Sequence, residues 1–119
     1  MTVRLSTIAA LLLAGTISAA DAHAMLDHAS PAVGSTVAKA PSRLILTFTE
    51  PIEPAFSGAT VRNAAGQRVD TGARAGSGKT ALEVSLKSLP PGTYKVNWHV
   101  LSVDTHKSKG SFSFTVGGR

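Results

Sequence analysis

The amino-acid sequence predicts an all-β domain, a Greek-key antiparallel β-barrel or Ig-like sandwich, preceded by an export signal. Three observations carry that reading. Apolar and polar residues alternate with a period of two in several short runs, the clearest at residues 94–101. Turn-forming residues separate these runs: Pro31 and Gly34, Pro41, Pro51 and Pro54, Gly66, then Pro90, Pro91 and Gly92. No stretch after residue 22 keeps the apolar spacing of an amphipathic helix.

The first 22 residues stand apart. Arg4 supplies one positive charge, an apolar run follows from Leu5 to about Ile17, and Ala20-Asp21-Ala22 gives the small-x-small pattern that signal peptidase reads. The apolar run is too short to span a bilayer, which takes roughly 20 residues. Cleavage is therefore expected before His23. Removing residues 1–22 leaves one domain at 23–119, with a single core and no further membrane insertion.

Within that domain, residues 29–35 are turn-rich, and Leu44, Leu46 and Phe48 alternate with Ile45, Thr47 and Thr49 as a strand. Residues 59–62 and 67–69 flank Asn63-Ala64-Ala65-Gly66 and predict a hairpin. Residues 71–79, with Gly72, Gly76 and Gly78, predict a loop. Leu82, Val84 and Leu86 mark another strand. Leu89-Pro90-Pro91-Gly92 is a turn that launches Tyr94, Val96, Trp98 and Val100 on one face and Lys95, Asn97, His99 and Leu101 on the other. Tyr94 is placed as a tyrosine corner would be, its hydroxyl bonding backbone upstream. Asp104-Thr105-His106 falls in a loop before the last strand, where Phe112, Phe114 and Val116 alternate with Ser111, Ser113 and Thr115. That makes about seven short strands, the pattern of a sandwich or barrel.

The formal net charge is +5, with basic residues scattered and no like-charge block. Nucleic-acid binding would ask for a basic stripe, so the charge reads as solvation. There is no cysteine, which excludes disulfide staples and thiolate chemistry. Any metal site must use nitrogen and oxygen donors.

Cleavage before His23 would create such donors. An N-terminal histidine offers its α-amine and ring Nδ1 as a chelate, and both deprotonate at modest cost against a competing metal. Asp104 would add an oxygen and His106 a third nitrogen. Three nitrogens and one oxygen in a plane suit Cu(II), whereas zinc favours tetrahedral sites. By spacing alone, Asp-x-His is as readily a loop aspartate beside an exposed histidine.

The chain also resembles the CopC family of periplasmic copper-resistance proteins across residues 23–119. The resemblance rests on His23-Ala24-Met25-Leu26, on Ser30-Pro31-Ala32-Val33-Gly34-Ser35, and on Leu44-Ile45-Leu46-Thr47-Phe48-Thr49-Glu50-Pro51. It continues in Gly92-Thr93-Tyr94-Lys95-Val96-Asn97-Trp98, in Val100-Leu101-Ser102-Val103-Asp104-Thr105-His106, and in Gly110-Ser111-Phe112-Ser113-Phe114. It implies a cupredoxin-like Greek-key β-barrel and a periplasmic Cu(II) carrier or buffer, not an enzyme, with one Cu(II) per chain at His23, Asp104 and His106. A CopD-type inner-membrane partner is implied as well. Glu50 matches an acidic position near that site. Some members carry a methionine-rich Cu(I) loop, but residues 63–79 contain no methionine, so no Cu(I) site is expected.

The remaining candidates have plainer roles. His28 is expected to be exposed or hydrogen-bonded, with an accessory-ligand role as the alternative. His99 is expected on the surface, Trp98 in the core, Leu26 as a core anchor and Met25 in packing. Two other functions compete. A copper oxidase with a histidine brace resembles lytic polysaccharide monooxygenases, but Asp104 would occupy the equatorial position that oxygen needs. The other is a plain Ig-like adhesion or chaperone module with incidental histidines.

Overall fold

Alternation along the sequence becomes two packed sheets, because each strand buries every second residue against the facing sheet. The structure, a computed structural model, describes residues 23–118; the expected signal at 1–22 lies outside the described residues. The strands are β1 (Leu26–Ser30), β2 (Thr36–Val37), β3 (Arg43–Phe48), β4 (Gly58–Arg62), β5 (Asp70–Ala75), β6 (Ala81–Leu86), β7 (Gly92–Leu101) and β8 (Lys107–Val116). A 3₁₀ turn, Pro54–Phe56, precedes β4. One sheet has the order β1-β3-β6-β5 and the other β2-β8-β7-β4. All pairings are antiparallel except β2 with β8, which is parallel.

The expected inward faces are inward. Leu44, Leu46 and Phe48 from β3 meet Tyr94, Val96, Trp98 and Val100 from β7 and Phe112, Phe114 and Val116 from β8. Phe48 and Trp98 pack edge to face with ring centroids 5.1 Å apart. Burial of each such side chain is worth about 1.5–3 kcal/mol, and in a chain without disulfides it is the main stabilising term. Trp98 lies across the strand from Gly110, where an added Cβ would sit 2.6 Å from the indole, so glycine is the residue that fits. The tyrosine corner forms as predicted, with Tyr94 donating its hydroxyl hydrogen to the Pro90 carbonyl.

Several local expectations are corrected. Residues 71–75 of the predicted Gly-rich loop lie in strand β5, whose small residues gave little alternation to read. Ala73, Arg74 and Ala75 pair with Val84, Glu83 and Leu82 after a bulge between Asp70 and Gly72, and Arg74 bonds Glu83 at 3.0 Å. The predicted hairpin across residues 63–66 forms but is short: Arg62 bridges Arg68, the Asn63 N–H donates to the Gln67 carbonyl, the Val69 N–H donates to the Val61 carbonyl, and pairing stops there. Asp70 accounts for this: its buried carboxylate accepts the Val61 N–H at 2.8 Å in place of a backbone partner, and the chain leaves for the other sheet. Burial opposes ionisation of Asp70, yet the Arg68 guanidinium (3.0 Å) and the Val61 N–H hold its carboxyl below the ordinary range. At the N-terminus Ala24, not Leu26, is fully buried; a bulge between Leu26 and His28 turns the face, leaving Leu26 partly buried. Met25 is exposed rather than packed.

Candidate metal centre

The segment before β1 and the loop between β7 and β8 come together because residues 49–53 bond to both. On one side the Thr49 N–H donates to the Met25 carbonyl at 2.8 Å, and the Met25 N–H donates to Thr49 Oγ1 at 3.0 Å. On the other side the Val103 N–H donates to the Pro51 carbonyl at 3.1 Å, and the Glu53 N–H donates to the Leu101 carbonyl at 2.8 Å. Ile52 bridges Ser102. His23 is thus two residues from an anchored backbone, and Asp104 is one residue from another. Their convergence is built mostly from backbone hydrogen bonds, each worth about 1 kcal/mol net.

The side chains follow. The His23 and His106 rings lie edge to face with centroids 5.0 Å apart. Asp104 Oδ1 is 3.1 Å from His106 Nδ1. Thr105 between them has φ 72°, a left-handed conformation that a β-branched residue adopts only under constraint. All three candidate ligands, His23, Asp104 and His106, are exposed. Among the described residues no group of three or more His, Cys, Asp or Glu side chains is arranged to hold a metal ion as it stands. Two chemical facts bear on this. The His23 nitrogen is an amide while residue 22 precedes it, and Asp104 is engaged with His106.

Ser102 is the residue that sequence reasoning missed. It is 1% exposed, and its hydroxyl donates to Asp104 Oδ1 while accepting the His106 N–H at 3.2 Å. Its own N–H donates to the His106 carbonyl at 2.9 Å. The bond from Ser102, and after it that from His106, hold the Asp104 carboxyl below its usual range. A signal was present in the sequence: Ser102 continues the inward series Tyr94, Val96, Trp98, Val100, and a serine in that series buries a hydroxyl that needs a partner.

The other candidates are placed as follows. Glu50 is exposed and sits between Thr49 and Pro51, the two residues that make the links. His28 is exposed, with Nδ1 2.8 Å from Asp27 Oδ2, in line with the plainer expectation. His99 is on the surface, as expected, lying over Gly58 with Cε1 3.1 Å from where a Cβ would be.

Comparison with known proteins gives a consistent picture. The model of the CopC domain matches residues 26–117. Protein YobA of Escherichia coli K12 is 43% identical over 98 residues, covering 80% of this chain and 79% of that protein. Copper resistance protein C of Xanthomonas campestris pv. juglandis is 36% identical over 121 residues, covering 94% of each. Copper transport protein CutJ of Bacillus subtilis is 33% identical over 105 residues; the match takes in 81% of this chain but only 18% of CutJ. Among solved structures, CopC from Methylosinus trichosporium OB3b superposes with a TM-score of 0.76 at 34% identity, covering 82% of this chain and 96% of that one. With its family model spanning most of the domain and a relative 36% identical over 94% of both chains, the chain belongs to the CopC family.

Proposed function

We propose that this chain is exported to the periplasm, cut before His23, and there binds one Cu(II) as a carrier or buffer in copper resistance and homeostasis. Its cargo is held by the His23 amine and ring, by Asp104 and by His106. The observation that carries the reading is the meeting of the His23 and His106 rings, 5.0 Å apart, beside the Asp104 carboxylate. Cleavage would convert the His23 amide into an amine and complete the donor set that Cu(II) favours. The relatives named for copper resistance and copper transport support the same cargo. The absence of methionine from residues 63–79, and of cysteine throughout, argues against a Cu(I) site. No catalytic role is proposed. Delivery to a CopD-type inner-membrane protein fits a small carrier, and among the described residues no helix is long and apolar enough to cross a membrane.

The mass and N-terminal sequence of protein exported by its own signal, with and without Cu(II), test this directly. The expected product begins at His23 and gains one copper. A product beginning Asp21-Ala22-His23 would overturn the three-residue site, because a histidine in third position can wrap Cu(II) with the amine and two backbone amides alone. Affinity should fall as the pH is lowered, because protons compete with copper for the nitrogen donors.

A further inference from the structure

A groove of about 630 Å³ opens on the outer face of the β2-β8-β7-β4 sheet, beside the loop that carries Asp104 and His106. Its floor includes His99 and Leu101 of β7, one flank is the 3₁₀ turn with Phe56, and the other is Lys107 and Lys109 at the start of β8. Phe56 is 68% exposed, the most exposed large hydrophobic side chain among the described residues. Neither lysine takes part in an ion pair among the described residues, and no acidic residue lines the groove. Gly58 matters here too: having no side chain, it leaves room for the His99 imidazole, whose Cε1 would lie 3.1 Å from a Cβ at that position. Lysines on a sheet also deter aggregation, but that role needs no unpartnered phenylalanine across from them.

We infer that this groove is the docking surface for an acidic, apolar-centred segment of the protein that exchanges copper with this chain, with Phe56 as the apolar anchor and Lys107 and Lys109 as the steering charges. That the partner exchanges copper rests on the function proposed above; the docking chemistry does not. An aromatic anchor with basic residues at the rim selects a segment carrying a bulky apolar side chain between carboxylates. Position strengthens the assignment. Leu101 and Lys107 are the paired residues from which the Asp104–His106 loop springs, so an occupant of the groove lies alongside that loop. In CutJ, named as a copper transport protein, the stretch that matches this chain makes up 18% of the length, so a similar domain occurs there within a much longer chain.

The test uses the whole mature protein, isotopically labelled and free of copper. The probe is a blocked hexapeptide alternating aspartate with leucine and phenylalanine, compared with the same peptide carrying lysine for aspartate. Saturable amide shifts confined to Phe56, His99, Leu101 and Lys109 are expected with the acidic peptide only. Phe56→Ala and Lys109→Glu should each weaken it at least about fivefold. Neither residue is a proposed copper ligand, so both variants should keep wild-type Cu(II) affinity. A wild-type protein that docks the peptide yet binds no Cu(II) would sink the copper reading and leave the groove standing. No saturable shift, shifts spread elsewhere, equal binding of both peptides, preference for phosphatidylglycerol vesicles, or a concentration-dependent dimer formed through Phe56 would each overturn the docking proposal.

Discussion

The two ends of β7 are built on one device and put to opposite use. At the start, the Tyr94 hydroxyl reaches back to the Pro90 carbonyl, and the ring is 3% exposed against Phe114 at 5.6 Å. At the finish, the Ser102 hydroxyl, 1% exposed, reaches forward to Asp104 and takes the His106 N–H. Each end fixes a turn through a buried hydroxyl. Tyr94 brings a large ring, so its turn is tied to the core. Ser102 brings almost no apolar surface: its hydroxyl closes the turn on itself, backbone links to residues 51–53 hold the turn from outside, and its polar side chains can stand out to water. Removing the first should cost folding; removing the second should cost the site.

The largest expected effect is at the folding end. Tyr94→Ala removes a buried ring and should lower stability by about 3–5 kcal/mol, read from the urea midpoint at constant m-value. A loss under ~1 kcal/mol would mean that the corner is not structural. His106→Ala should leave stability within about 0.5 kcal/mol and weaken Cu(II) binding at least a hundredfold, about 2.7 kcal/mol. His99→Ala should do neither, and equal small effects of the two on copper titrations would remove His106 from the site.

Asp70→Ala leaves the Val61 N–H without its acceptor and should cost about 2–3 kcal/mol. The same carboxylate sets an acid limit. Its folded pKa lies below the unfolded value of about 3.9, so its stabilisation is present above that value and fades as the pH falls through the folded pKa. Wild type should therefore lose more stability than Asp70→Asn between about pH 4 and pH 2, as followed by thermal melts. Parallel losses would exclude Asp70 as the origin. Ser102→Ala should cost about 1–2 kcal/mol in stability and also weaken copper binding, because the Asp104 carboxylate loses its donor. Retention of full affinity would make Ser102 merely structural. The smallest effect is at Thr105. Glycine relieves the left-handed strain and should raise stability by no more than about 1 kcal/mol; a loss would show that the threonine side chain holds the loop.

The same contrast explains what the sequence made legible. Tyr94, Val96, Trp98 and Val100 announce themselves by alternation, because water-avoiding side chains must share one face of a strand. The site was legible only as a coincidence between His23, at an expected cut, and Asp104 with His106 far downstream. What brings them together is not: the links from Met25 to Thr49 and from Val103 to Pro51 are mostly backbone hydrogen bonds, which any residue but proline can donate. Strand β5 escaped for a related reason. Its glycine, alanines and arginine on a sheet edge carry too little buried apolar surface to print a period. Asp70 escaped because a buried carboxylate is expected to be rare unless paired, and its partner Arg68 looks like any surface arginine.

Gly110 has a consequence for the loop it never touches. The indole of Trp98 leaves no room opposite for any side chain, so the one glycine of β8 must face the one tryptophan of β7. A slip of two residues would bring Ser108 or Phe112 under the ring instead. Counting outward from that fixed point, the last pair is Leu101 with Lys107, and five residues, 102–106, are left to close the turn. The glycine therefore acts as a gauge, cutting the loop to length from inside the core. A bulkier residue there would be felt first as a change in how far apart Asp104 and His106 can stand from His23.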